Sequence, residues 1–521
     1  MFRVRSPVPA PTQNEFLRAQ WGVQYGFLLV TEMGTNSEVC QMSRCALASC
    51  IILAFLCVAS VVVAVVFIIM EERPVQVPKQ DDDVVSVGEP VFLSPLVDEG
   101  KLTEAKQQSR VTQLAGFNDE IYAGFITIDK KYNSNLYFIY FPARVNADNA
   151  TVILWMNGGP GNPSIFCMTE CSGPFLVNEK LQMTANKFSW TDKYSVIYVD
   201  QPVGTGFSFT DNDTAMATNQ NDIADGMYSF LHQFFLIFPL NRNDIYILGQ
   251  SYAGKYVPAV ARKIHTQNPS AGLKINLKGL AIASGFCDPE SMIQKFGDYA
   301  YINGFMTEKE RDYFNSRIDE TVQLIREKNF SAAMTVFDET YLGTGIYTNQ
   351  TPSYYNNKTR IPHYYDIRKT SPPNDVLKFS NFVNQSSIRR AFHVGNRSFS
   401  DGDSVYIKMS VGFLDTAKPW YEELLQNYTI LFYNGQFDPL ISVVMTESFI
   451  WGLNWTHSAE YKVAENEFWF TNAGDKNPAG TVRRGGNLYQ AVVRDAGHMV
   501  NGDQRERSFV LVQRFIEGRL L

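Results

Sequence analysis

Histidine and cysteine are scarce in this sequence of 521 residues, and no run of Lys and Arg stands out. Charged residues make up 19%, and Asp and Glu outnumber Lys and Arg by 53 to 46, for a net charge of -7. Without a basic stripe a polyanion finds no complementary field, so nucleic acid is not an expected partner. Of the seven cysteines, Cys40, Cys45, Cys50 and Cys57 fall in or beside one apolar run, which leaves Cys167, Cys171 and Cys287. Three allow at most one intramolecular bridge. A Cys167/Cys171 spacing without a second pair is no zinc signature, so no metal site is expected, and these read as small cysteines, buried or singly bridged. There is no internal repeat. A hydrophobic content of 45% excludes bulk disorder. The length suits roughly two to four ordinary domains or one large domain with insertions.

Against this mixed background Ala46 to Met70 carries no charged residue in 25 positions. As a helix rising about 1.5 Å per residue it covers a bilayer core of roughly 30 Å. Arg44 precedes it, and Glu71, Glu72 and the acidic run Asp81, Asp82 and Asp83 follow it. The basic side is N-terminal, which predicts a cytoplasmic tail over 1–45, a signal-anchor helix over 46–70, and a lumenal or extracellular remainder. Initiation at Met42 would turn the same stretch into a long cleaved signal and yield a secreted or lysosomal protein. Both readings deliver the chain to the secretory pathway. Nine Asn-x-Ser/Thr sites, at Asn149, Asn212, Asn329, Asn349, Asn357, Asn384, Asn396, Asn427 and Asn454, all lie beyond this run and predict a glycoprotein. Residues 71–109, rich in Pro, Val, Asp and Gln without periodicity, read as a stalk and lead-in to a body over 110–521.

In that body, apolar runs at Tyr122 to Ile128, Leu136 to Phe141, Val152 to Met156, Val196 to Val199, Ile245 to Leu248, Leu280 to Ala283, Ile430 to Tyr433 and Ala491 to Val493 read as strands. The first two suit an antiparallel pair. The later ones are short and continuous, separated by helical patterns, as in a buried parallel sheet flanked by helices. An α/β fold follows, with a helical insertion, or cap, over about 291–420.

The string Ile245 to Tyr256 runs from a strand into Gly249-Gln250-Ser251-Tyr252-Ala253-Gly254 and then a helix, the context of a nucleophile elbow. A serine hydroxyl needs a base oriented by an acid, in the chain order Ser, Asp, His on such a fold. His498 alone follows Ser251 in a Gly-His turn directly after a strand, His265 falls on the elbow helix, and His393 shares an apolar face. Asp438 follows the strand Thr429 to Tyr433 at the right chain position, whereas Asp495 is too close to His498 along one loop. An oxyanion hole needs two backbone N–H groups. Tyr252 supplies one, and the glycines of Asn157-Gly158-Gly159-Pro160-Gly161 allow the other a close approach.

Together these strings resemble the serine carboxypeptidase family, in particular its vitellogenic-carboxypeptidase-like branch. The resemblance runs from about Gln113 to Leu520 and includes Asp200-Gln201-Pro202-Val203-Gly204-Thr205-Gly206, Cys287-Asp288-Pro289-Glu290 and Tyr433-Asn434-Gly435-Gln436. It implies an α/β-hydrolase fold, hydrolysis of the last peptide bond of substrates with a free C-terminus, and no cofactor. By position it implies Ser251 as nucleophile, His498 as general base and acid, Asp438 as its orienter, and Gly159 with Tyr252 as the oxyanion hole. Asn157 matches the asparagine that grips the substrate's terminal carboxylate.

Departures fall in that carboxylate clamp. The family's elbow glutamate is Gln250 here, and its second recognition glutamate aligns with Cys171, with Glu170 one position early. Protonated glutamates bind a carboxylate only at acid pH, whereas an amide donates at every pH. KM is therefore expected to rise less between pH ~5 and ~7 than with two glutamates. Glu170, if it takes the vacant place, restores one titrating carboxyl. Because the clamp is altered, an esterase or acyltransferase using the same triad, or a catalytically silent binding protein, stays open beside carboxypeptidase activity.

Overall fold

The computed structural model describes residues 86–520 apart from 113, 115, 349, 350, 362, 363 and 372–374. The expected tail and membrane segment, 1–45 and 46–70, lie outside the described residues. Among the described residues no helix is long and apolar enough to cross a membrane.

The apolar runs become strands β1 (Tyr122–Asp129), β2 (Ser134–Phe141), β3 (Val152–Met156), β6 (Ser195–Asp200), β7 (Ile245–Gln250), β8 (Leu277–Ala283), β9 (Thr429–Gly435) and β12 (Leu488–Val493). Two further edge strands, β10 (Glu467–Trp469) and β11 (Gly480–Gly485), complete a ten-stranded sheet, and β4 (Phe175–Val177) pairs with β5 (Met183–Ala185) apart from it. The order is β1-β2-β6-β3-β7-β8-β9-β12-β11-β10. From β6 to β12 every pairing is parallel, and antiparallel pairs close both ends.

Central strands are buried on both faces, which is why they read as unbroken apolar runs. In β3, Val152, Leu154 and Met156 join one core layer while Ile153 and Trp155 join the other. Helices Gln220–Ile237 and Ala253–Gln267 cover the first face, and helix Arg505–Ile516 packs Leu511, Val512 and Phe515 on the second. The edge strand β11 reads Gly-Thr-Val-Arg-Arg-Gly, with a polar face and no continuous apolar signal. Between Ala283 and Thr429 the described residues form helices and loops only, from Pro289–Met292 to Lys418–Leu424.

The expected stalk is different from residue 86 onward. Phe92 pairs with Phe125 at the outer edge of β1, Leu93 N–H donates to Phe125 O at 2.9 Å, and Phe125 N–H to Val91 O at 2.9 Å. Helices Ser94–Asp98 and Leu102–Gln108 follow, with Leu93 and Ala105 buried in the core. Helices of five and seven residues are too short to show an apolar periodicity in sequence.

Candidate active site

β7 ends in a turn that holds Ser251 at φ +62°, a left-handed conformation costing about 1 kcal/mol or more for a residue with a Cβ. The surroundings fix it: Ser251 N–H donates to Ala283 O at 3.0 Å, and its carbonyl accepts from Gly254 N–H at 2.8 Å and Phe286 N–H at 2.9 Å. A Cβ on Gly249 would lie 2.7 Å from Met156 O, and one on Gly254 would lie 2.9 Å from Cys287 Sγ. Only glycine fits both sides of the elbow.

The two amides expected to face an oxyanion are brought together by the same economy of space. A Cβ on Gly158 would sit 2.4 Å from Tyr252 N, so the loop after β3 lies directly against the elbow backbone. Gly159 follows at φ +105°. Among the described residues neither the Gly159 nor the Tyr252 amide donates to a backbone carbonyl. The Tyr252 ring is buried, stacked on Phe413, with its hydroxyl receiving Gln220 Nε2 at 3.1 Å.

Asp438 and His498 lie on loops after the adjacent parallel strands β9 and β12. His498 Nδ1 is 2.9 Å from Asp438 Oδ2, and both side chains are buried. Asp438 Oδ1 accepts the amides of Leu440 at 2.8 Å and Ile441 at 2.9 Å, which fixes the carboxylate plane. The loops touch through glycines: a Cβ on Gly435 would lie 2.0 Å from Gly497 O. Asp495 is elsewhere, exposed and paired with Arg507 at 3.0 Å. His265 Nδ1 meets Tyr428 Oη at 2.9 Å on the elbow helix, and His393 Nε2 meets Arg110 O at 3.1 Å.

Ser251, His498, Gly159, Asn157, Gln250 and Glu170 line one cavity of about 820 Å³. Asn157 is oriented by Trp155 Nε1, which donates to its Oδ1 at 2.7 Å, and by its own Nδ2, which donates to Pro163 O at 2.9 Å. Gln250 Nε2 contacts Met499 Sδ at 2.9 Å, and Gln250 Oε1 is buried without a partner. Glu170 closes the short helix Phe166–Glu170 and Cys171 caps it out of helical conformation, so the two side chains leave the backbone in different directions. Glu170 therefore reaches the cavity and Cys171 does not. Burial pushes the Glu170 carboxyl up to about 7 against the pull of Lys378 Nζ, 3.2 Å away. Burial likewise raises the Cys171 thiol well above its ordinary value, and Cys167, Cys171 and Cys287 are all buried and free.

Two residues at the site had no role assigned from the sequence, Arg505 without any motif and Asp200 only as the first residue of the string Asp200 to Gly206. Arg505, seven positions beyond His498, lines the cavity. Asp200, at the end of β6, accepts the amides of Ile165 and Phe207, each at 3.2 Å, and so ties the loop after β3 to the Gly204–Phe207 turn. Burial pushes its carboxyl up to about 7.

An elbow serine at the end of a parallel strand, beside a buried His–carboxylate pair on later strand ends, defines an α/β-hydrolase with a triad-type site. Residues 111–518 match the profile of the serine carboxypeptidase (peptidase S10) family. The chain is 40% identical over 448 residues to the probable serine carboxypeptidase CPVL of Homo sapiens, covering 86% of this chain and 93% of that one. It is 36% identical to the venom serine carboxypeptidase of Apis mellifera (83% and 92% covered) and 36% identical to the vitellogenic carboxypeptidase of Aedes aegypti (83% and 91%). The crystal structure of Kex1(delta)p, a prohormone-processing carboxypeptidase from Saccharomyces cerevisiae, superposes with a TM-score of 0.69 at 22% identity, over 79% of this chain and 96% of that one, and shows the shared fold. The chain belongs to the serine carboxypeptidase family.

Proposed function

We propose that this protein releases C-terminal residues from peptides through an acyl-enzyme on Ser251. The observation that carries the reading is the strained Ser251 lining one cavity with His498, whose Nδ1 is held 2.9 Å from the buried carboxylate of Asp438. Ser251 Oγ attacks the last peptide carbonyl and passes its proton to His498 Nε2. Asp438 keeps the other nitrogen, Nδ1, protonated and stabilises the imidazolium. The oxyanion accepts the free amides of Gly159 and Tyr252, which pay no reorganisation cost when the charge develops. His498 then protonates the leaving amine, and a water, deprotonated by the same nitrogen, releases the shortened peptide and restores Ser251. Asn157, Gln250 and Glu170 form the wall that receives the terminal carboxylate.

The test compares N-blocked dipeptides bearing a free carboxylate with their amides and with simple esters. Preference for the free acids, lost with serine labelling by an organophosphonate in Ser251→Ala, is the expected result. Equal or better turnover of esters would favour acyl chemistry of another kind, and labelling of the alanine variant at the wild-type level would sink the assignment of the nucleophile.

The same reading places residues 46–70 across a membrane as a signal-anchor, or has them removed as a signal, with the body in the secretory pathway. Eight of the nine sequon asparagines are among the described residues and all eight are exposed; Asn349 lies outside them. A mass unchanged by N-glycosidase would contradict this, and a mature N-terminus beyond Met70 would select cleavage.

A further inference from the structure

The cavity wall carries a cation that forms no ion pair among the described residues. Lys369 is paired with Asp503 at 3.0 Å, and Lys378, behind the wall, lies between Glu170 at 3.2 Å and Asp375 at 2.9 Å. Among the described residues Arg505 has no carboxylate within ion-pair distance. Its guanidinium makes one hydrogen bond, from Nη2 to the backbone carbonyl of Glu170 at 3.0 Å, and its Nε is buried with no acceptor. A guanidinium presents five N–H donors in a rigid fork and stays charged throughout the physiological range. Such a group in a cavity wall is unfavourable until an anion completes it.

The backbone carbonyl that Arg505 grips belongs to Glu170, whose side chain faces the same cavity as Ser251. The other polar groups there are poorly suited to hold an anion alone: the Gln250 amide rests on Met499 Sδ, and the Asn157 amide already donates to Pro163 O. We propose that Arg505 is a specificity-determining residue that anchors the terminal carboxylate of the peptide through a charge-assisted, forked hydrogen bond. This rests on the carboxypeptidase reading. It adds, to recognition by the Glu170 carboxyl, which fades as pH rises, a contact from a guanidinium.

The experiment is the ratio of kcat/KM for an N-blocked dipeptide acid ending in Leu to that for its amide, in wild type, Arg505→Gln and Arg505→Lys. Arg505→Gln should lower this ratio about 10- to 100-fold, the effect of losing one charge-assisted contact, and the loss should appear in KM. Arg505→Lys, which keeps the charge but not the fork, should fall between. An unchanged ratio in either variant overturns the proposal, so it is decided even if the glutamine variant fails to fold. A loss confined to substrates with an acidic C-terminal side chain would put the guanidinium on that side chain and also overturn it. A wild-type enzyme without preference for acids over amides would instead refute the carboxypeptidase reading, and this proposal with it.

Discussion

Glu170→Gln removes from the cavity a carboxyl group that burial holds at about 7. Four ionisable groups face it: Lys378 and Asp375 from helix Asp375–Val383, Arg505 from the last helix, and the buried thiol of Cys171. Burial is the largest influence and holds the carboxyl at about 7, so it remains a neutral hydrogen-bond donor through the mildly acid range. As pH rises through 7 it ionises, and the anion repels the substrate's carboxylate and competes for Arg505. If only the protonated form binds, KM scales as one plus the ratio of ionised to neutral carboxyl: about 1 at pH 5, about 2 at pH 7 and about 11 at pH 8. In Glu170→Gln the profile should be flat. Lys378 keeps Asp375 at 2.9 Å, so the substitution does not leave a bare ammonium in the wall. The assay is KM for a free dipeptide acid from pH 5 to 8, divided at each pH by KM for its amide, which cancels pH effects common to both substrates. A ratio that stays flat in wild type, or climbs equally in the variant, would refute the role assigned to Glu170.

Three other outcomes follow from distances at the site. Asp438→Asn should lower kcat about 10⁴-fold at neutral pH, measured with any turnover substrate, because Leu440 and Ile441 hold the remaining oxygen and the new amide would donate to His498 Nδ1, shifting its proton to Nε2. Gly158→Ala should cost about 10² to 10³ in kcat with little change in KM, since its Cβ would force the loop away from the Tyr252 amide 2.4 Å off. Native protein treated with iodoacetamide at pH 7.5 should be unmodified at Cys167, Cys171 and Cys287 by peptide mapping, because burial keeps the Cys171 and Cys287 thiols protonated and all three inaccessible; rapid labelling at any of them would contradict the packing described.

Legibility in the sequence followed the strength of local constraint. The parallel strands were readable because burial on both faces keeps runs such as Val152 to Met156 and Leu280 to Ala283 apolar, and the elbow because its glycines are forced by contacts under 3 Å. Strands β4, β5, β10 and β11 escaped because they are short or half-exposed. Residues 86–109 passed for a lead-in because their packing on β1 depends on a long-range bridge, Phe92 to Phe125, that no local pattern announces. The clamp was the hardest part. Alignment by residue count put Cys171 where Glu170 stands, a difference of one residue that only the cap geometry at Cys171 decides. Arg505 lacks any motif, and its place in the wall depends on how the last helix crosses the sheet.

Of the wall proposed to read the peptide end, Asn157 and Gln250 share the ends of β3 and β7 with the groups proposed to do the chemistry, but the rest is carried by other pieces of chain. Gly159, Ser251, Asp438 and His498 sit on loops at the C-terminal ends of β3, β7, β9 and β12, strands locked by continuous pairing across the sheet. Glu170, Lys378 and Arg505 belong to helices outside it. Such a division lets preference drift without endangering turnover: a charge reversed or a volume altered on helix Asp375–Val383 changes what the mouth accepts while the strained serine keeps its support. For engineering, the helix offers randomisable positions, notably the exposed Val376 and Leu377 at the cavity rim, where variation is insulated from the nucleophile.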